Sequence, residues 1–403
     1  MADMPSRQRI LERYRLAEQR LAERHICTLP GQPGPVLLIS DTYPGVWLEH
    51  AFDGVCYARL YPESTLARNT ARNQMLLFLR NQRADGRLPF CVLDEKRAYP
   101  GMQAVNFTQI QECVAFARLC LEVYELTGDR AFLAEAYAGC VRWDEWLCAH
   151  RMTRNTGLIE LFCLFDTGHD NSARLHDIPL QCPDPLGAPP ADSPALPLLA
   201  PDMNAVFYGD RLALRDMAQL LERGEEAAAW AQKAENVRQA MLDRLFDEKD
   251  LFFYDRDAAG HFRRFRSIAV SNVFGEHVLS QSLFDRIYDR HMRDPDAFFT
   301  PFPFPSMALN DPAVQNHAMQ NCWGYFSQAL TALRCQRWMD FYHREADHDH
   351  VLRRWVSAMA GENAKAFTQE LDPLTGQATD CSEWYSSAML LYLYAVRRLK
   401  YLD

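Results

Sequence analysis

The stretch EAAAWAQKAENVRQAMLDRL (Glu226 to Leu245) decides the class of fold. Trp230, Ala234, Val237, Met241 and Leu245 step by three and four, and Glu, Gln, Lys and Arg fill the remaining positions. That spacing gives one apolar stripe at 3.6 residues per turn, so the segment reads as an amphipathic helix laid against a core. Working outward, Asn106 to Leu126 carries Phe107, Ile110, Val114, Ala117, Leu121 and Tyr124 on the same spacing. Thr127-Gly128-Asp129 then ends one helix and offers Asp129 as N-cap to another running to about His150. Further helices are expected over Met4 to Arg24, Leu66 to Arg80, Met203 to Arg223, Asn316 to Cys335, Trp338 to Ala360 and Trp384 to Leu399. Shorter ones near Gly45 to Leu60, Ser267 to Val278 and Gln281 to His291 bring the expectation to about twelve. Strand signals are confined to short pieces such as Val36 to Ile39 and Leu251 to Tyr254. The lack of alternating strands and crossover helices argues against a doubly wound sheet or a TIM barrel. Helices paired through short connections, in number about twelve, fit an all-α closed toroid of six hairpins, an (α/α)6 barrel.

The chain has 403 residues, 48% hydrophobic and 24% charged, and 43 Lys and Arg stand against 53 Asp and Glu. This is the composition of an ordinary globular protein, expected to form a single domain over residues 1–403. A net charge of −10 disfavours binding to phosphate backbones or anionic lipid. The longest apolar runs, such as Ala388 to Val396, fall short of the roughly 20 residues a membrane span needs. Met1 to Arg24 is charged throughout and has no apolar core of a secretory leader. Twelve cysteines without CxxC spacing read as reduced thiols, so a cytoplasmic location is expected. His343, His348 and His350 lie in an acidic helical segment where only the first and last share a face, a poor zinc pattern. No P-loop, G-x-G-x-x-G or G-x-S-x-G occurs, so nucleotide and serine-hydrolase chemistry finds no support.

Two segments interrupt the helices. Residues 176–201 hold eight prolines, and residues 361–380 form a polar, turn-rich loop before the last helix. Long irregular loops in compact chains are usually functional or disordered, and each of these adjoins a cluster of acidic residues. The first cluster is Asp166-Thr-Gly168-His169-Asp170-Asn171-Ser172-Ala173-Arg174. By pattern alone it also suits a helix cap or a calcium-type loop. The second is Gln369-Glu370-Leu371-Asp372-Pro373-Leu374-Thr375-Gly376, where Asp-Pro and Thr-Gly make a turn and Glu370 stands just before it.

Together the clusters resemble those of the inverting glycoside hydrolases of the glucosidase/trehalase clan, especially the mannosylglycerate and glucosylglycerate hydrolases of the family 63-like group. Asp166 to Arg174 is similar to that group's E-S-G-x-D-N-S-P-R, and Glu370 to Gly376 to its E-N-x-D-P-L-T-G. Trp47-Leu-Glu49-His50-Ala-Phe52, Thr108-Gln109 (similar to a T-Q helix start), Pro303 to Ser306 and Asn321-Cys322-Trp323-Gly324 add matching segments in the same order. Departures are Asp166 for the commoner Glu, Ala173 for Pro, Leu371 for Asn and Cys322 for Ser. The resemblance implies an (α/α)6 barrel, Asp170 as general acid and Glu370 as general base, and no cofactor. It also implies a pocket for a small α-glycoside, such as a hexosylglycerate or short α-glucoside, with Trp47, Trp323 and Trp384 as sugar-facing rings. Glu49 and Gln109 are the candidates for reading hydroxyls, and Arg174 for a bidentate contact to a carboxylate such as glycerate. Asp170 would need a raised pKa, for which burial or the charge of Asp166 four residues earlier is the expected cause. Competing readings are a sugar epimerase on the same barrel, relying on histidines such as His50, His169 and His317, and a non-catalytic sugar-binding or scaffold protein. The expected partner is a small carbohydrate, with a homo-oligomer possible and neither nucleic acid nor membrane involved.

Overall fold

A computed structural model describes residues 4–403 except 97, 98, 100, 101, 183–188, 190–192, 313, 315–321, 363, 365 and 380. Twelve α-helices lie among these residues: α1 (Arg7–Arg20), α2 (Ala51–Leu60), α3 (Thr65–Arg80), α4 (Phe116–Thr127), α5 (Arg130–His150), α6 (Pro201–Leu220), α7 (Gly224–Arg244), α8 (Val270–Gly275), α9 (Gln281–Ile287), α10 (Ala329–Arg334), α11 (Glu345–Ala360) and α12 (Ser386–Arg398). The stripe quoted first forms α7, with Ala227, Trp230, Ala234, Val237 and Met241 buried. Gly128 ends α4 at φ +66°, and the Asp129 carboxylate accepts from the Phe132 amide to start α5.

Helix burial comes in two kinds. Fifteen of the twenty residues of α6 are buried, against five of twenty-one in α7. A helix buried all round has neighbours on every side, whereas a striped one has one wet face. The all-round helices are consecutive neighbours in space. α2 packs on α4, α4 on α6 and α6 on α8; the 3-10 turn Cys335–Arg337 that follows α10 packs on α8; α10 packs on α12, and α12 returns to α2. Behind them, α1 and α11 pack on α12, α3 on α2 and α4, α5 on α4 and α6, and α7 on α6. One apolar cluster runs through this arrangement from Ile10 in α1 to Val396 in α12.

Several expected helices are shorter, for identifiable reasons. Residues 106–115 are not helical: Asn106 pairs in a short sheet with Cys91, Gln111 has φ +51°, and the Ile110 amide is taken by the Asp166 carboxylate. Thr108 and Gln109 are therefore loop residues, not a helix start. The segment expected from Trp338 to Ala360 is helical only from Glu345, because His343 sits at φ +56°. His343 is thus outside the helix and exposed, His348 is buried with Nδ1 3.1 Å from Asp340, and His350 stacks on Phe299. The three do not converge. Of the helix expected over residues 316–335, α10 and its trailing turn are observed; its start, with Asn321 and His317, lies outside the described residues. Short strands are more numerous than expected and stitch the loops, as where Ser327–Gln328 pairs antiparallel with Glu370–Leu371. Among the described residues no helix is long and apolar enough to cross a membrane.

Candidate active site

The acid loop is built around Asp166. Its carboxylate accepts from the amides of Phe162 (2.9 Å), Cys163 (3.3 Å) and Ile110 (3.0 Å), and it forms a fully buried ion pair with Arg151. Its carbonyl accepts from the Glu112 amide at 2.7 Å. The side chain thus staples residues 110–112 to residues 162–166. Two left-handed residues, Gly168 (φ +70°) and Asn171 (φ +59°), then reverse the chain on either side of Asp170. A Cβ on Gly168 would lie 2.9 Å from Glu49 Oε2, so glycine is what lets Glu49 approach this turn.

Burial pushes the Asp170 carboxyl up to about 7. Asp166 is not the cause: Arg151 and the backbone amides hold it ionised below the usual carboxylate range, and its charge is neutralised in place. The carboxylate that does sense Asp170 is Glu49. It is buried and pushed up to about 7 mainly by desolvation, with Arg334 opposing and the charges of Asp170 and Asp53 adding. Arg334 Nη1 lies 3.5 Å from Glu49 Oε1, and its Nη2 donates to the Glu49 carbonyl at 3.0 Å.

Glu370 is held from the other side. Its strand pairing sets Gln328 directly opposite, and Gln328 Nε2 donates to Oε2 at 2.9 Å while Thr379 Oγ1 donates to Oε1 at 2.7 Å. Two donors on a buried side chain that accepts when ionised fix its direction. Charge coupling, an ion pair and one helix connect the segments that carry the two carboxylates. Asp170 neighbours Glu49, Glu49 is paired with Arg334 at the end of α10, and α10 begins at the residue after Gln328. A second route passes from Ser172 Oγ to Met307 Sδ (3.7 Å) and from Pro305 to its bridge partner Ser327.

The remaining expected residues divide. Trp323 is buried and stacks on His169, with ring centroids 4.2 Å apart, so it stands beside the acid loop. Gln109 is buried next to the Asp166 staple, its Oε1 accepting from Thr108 Oγ1. Trp47 is half-buried, edge-on to Tyr43. Trp384, at φ +56°, packs against Phe367 and is covered by the Arg20 guanidinium 4.6 Å from its ring. Arg174 is placed differently from expectation. Its guanidinium is buried and binds Asp202 through both ends and Asp255 at 2.7 Å, so the fork proposed for a substrate carboxylate is already occupied. His50 is bound to the Tyr385 hydroxyl at 2.6 Å, and burial holds it down to about 3. A cavity of about 570 Å³ lies beside the base hairpin, lined by Phe302, Met359, Leu371, Gly376 and Gln377 among others; neither catalytic candidate lines it. Arg151, Gln328, Arg334 and Thr379 escaped the sequence reading, because each acts through a partner many residues away and carries no local pattern.

Two buried carboxyl groups, one pushed up to about 7 by burial and the other under two hydrogen-bond donors, are groups that acid–base glycoside hydrolysis can use. The chain is a member of the mannosylglycerate hydrolase MGH1-like glycoside hydrolase domain family, which its residues 61–387 match. No curated protein sequence matches it. Its fold is similar to that of the GH63 mannosylglycerate hydrolase from Thermus thermophilus in complex with glucose (TM-score 0.74, 18% identity, 97% of this chain and 99% of the other). The neutral trehalase of Saccharomyces cerevisiae is similar too (TM-score 0.67, 12% identity, 93% and 76%), as is a rhamnosidase from Klebsiella oxytoca with rhamnose bound (0.63, 14%, 99% and 66%).

Proposed function

We propose that the chain is a single-domain (α/α)6 toroid that hydrolyses a small α-glycoside with inversion, Asp170 being the general acid and Glu370 the general base. The succession α2, α4, α6, α8, α10, α12 and back to α2 supports ring closure, with α1, α3, α5, α7 and α11 outside it. One observation carries the mechanism: burial keeps the Asp170 carboxyl partly protonated near neutrality, while Glu370 is held by two donors. In the reaction, Glu370 takes a proton from water as the water oxygen attacks the anomeric carbon. Asp170 gives its proton to the leaving oxygen as the glycosidic bond breaks. Inversion sets the two carboxyl groups roughly 6.5–9.5 Å apart, with the water between Glu370 and the sugar.

The similarity to a mannosylglycerate hydrolase favours a hexosylglycerate, and that to a trehalase makes a short α-glucoside the next candidate. Released sugar from a panel of hexosylglycerates, trehalose and α-linked disaccharides identifies the substrate. Proton NMR of the first-formed anomer then reads the stereochemistry. Asp170→Asn and Glu370→Gln each lower kcat by about 10²–10⁴-fold without altering the far-ultraviolet circular dichroism. Wild-type turnover in either variant, or a retained anomeric configuration, refutes the assignment.

A further inference from the structure

The acid–base pair leaves one group of the acid loop without a task, the imidazole of His169. The ring is buried, stacked on Trp323, and its Nδ1 lies 3.3 Å from Arg174 Nη2. Among the described residues, the other polar atom near Nδ1 is Asp202 Oδ2 at 3.6 Å, beyond hydrogen-bond distance. A guanidinium carries donors and no acceptor, so Nδ1 must be the acceptor of this contact. A neutral imidazole that accepts at one nitrogen carries its hydrogen on the other. Desolvation and the positive charges of Arg174 and Arg334 keep the ring neutral. Nε2 is therefore an N–H donor, and it has no hydrogen-bond partner among the described residues. The device is rigid behind, since Asp202 and Asp255 lock Arg174, and Arg174 in turn sets the tautomer.

We propose that His169 is a substrate-binding residue whose Nε2–H donates to an acceptor oxygen of the glycoside beside Asp170, with Arg174 as the positioning residue that fixes the tautomer. The assignment rests on the glycosidase reading of the site. The oxygen comes from a sugar hydroxyl or from an aglycone carboxylate, two sources that one experiment separates.

In protein labelled with [15N]histidine and free of substrate, the His169 ring, assigned by its loss in His169→Gln, shows the Nε2–H neutral tautomer from pH 5 to 8. An Nδ1–H tautomer, or an imidazolium forming in that range, overturns the proposal. In kinetics, His169→Phe keeps the aromatic stack and loses the donor, so kcat/KM falls roughly 10- to 100-fold, the span expected for one lost hydrogen bond to a neutral or charged acceptor. His169→Gln keeps an N–H at the reach of Nε2 and stays within roughly 3-fold of wild type if the donor alone matters. Wild-type kcat/KM in the phenylalanine variant, or equal losses in both, overturns the proposal. Equal losses of the phenylalanine variant on a hexosylglycerate and on the methyl hexoside place the acceptor on the sugar; a loss confined to the former places it on the carboxylate. If wild type cleaves no glycoside although the Nε2–H tautomer is present, the glycosidase reading fails and the substrate role of His169 falls with it.

Discussion

In the proposed mechanism, Asp170 couples activity to pH through its burial. With its carboxyl pushed up to about 7, the protonated form needed for the leaving oxygen is lost as pH rises through that value. The basic limb of kcat/KM in the free enzyme is therefore expected near pH 7, and a profile flat to pH 9 contradicts it. The same shift has a stability side. Below about pH 4 the carboxyl is protonated in folded and unfolded chains alike and costs nothing. Between about 4 and 7 the unfolded chain prefers to ionise, and above 7 the folded chain carries the full cost of a buried charge. Asp170→Asn is accordingly expected to stabilise the protein by on the order of 1–3 kcal/mol at pH 8 and not at pH 4, read from urea midpoints at the two values. Asp166 behaves oppositely. Asp166→Asn leaves the buried Arg151 without its counter-charge and loosens the turn, costing about 3–5 kcal/mol. Urea denaturation of this variant shows the loss directly. At this scale, the D-x-G-x-D-N-S string singled out Asp170, which the structure buries, but ascribed its raised pKa to Asp166. Its three amide contacts and Arg151 come from other segments, which a linear reading cannot place.

Among the elements, the two-residue sheet between Ser327–Gln328 and Glu370–Leu371 positions Glu370, the proposed base. Pairing puts Gln328 opposite Glu370 on the same face, where its amide reaches the carboxylate. Gln328→Leu keeps the volume and the strand pairing but removes that donor, so kcat is expected to fall roughly 10- to 100-fold with little change in melting temperature. A fall in melting temperature without a change in kcat would instead make the contact purely structural. Long amphipathic helices were legible in advance, as α5, α7 and α12 illustrate, because their periodicity is written in neighbouring residues. The loss of helix over residues 106–115 was not, since the apolar spacing of Phe107, Ile110 and Val114 is helical while the amides of Ile110 and Glu112 are claimed by Asp166.

For the whole molecule, the packing of α12 on α2 joins the end of the chain to its beginning. Asp53 of α2 is buried there and accepts from the hydroxyls of Ser386 (2.5 Å) and Ser387 (2.8 Å) at the start of α12. Burial pushes Asp53 up to about 6, and the two hydroxyls pull it back. The double variant Ser386→Ala/Ser387→Ala strips the carboxylate of both donors and is expected to cost about 2–4 kcal/mol. The cost grows as pH rises through about 6, because only the ionised form needs the donors that were removed. Chemical denaturation at pH 5 and pH 8 reads the difference, and equal losses at both values contradict this account.

Sequence alone determined the helical class, the pairing of helices and the two acidic clusters, since periodicity, caps and turn residues act over a few positions. Tertiary structure decided that Asp170 is buried enough to hold a proton and that the Glu49 carboxylate lies near it. It likewise decided that Arg174 serves His169 and two internal aspartates. Desolvation and charge pairing depend on segments brought together from across the chain, and no local pattern of residues encodes them.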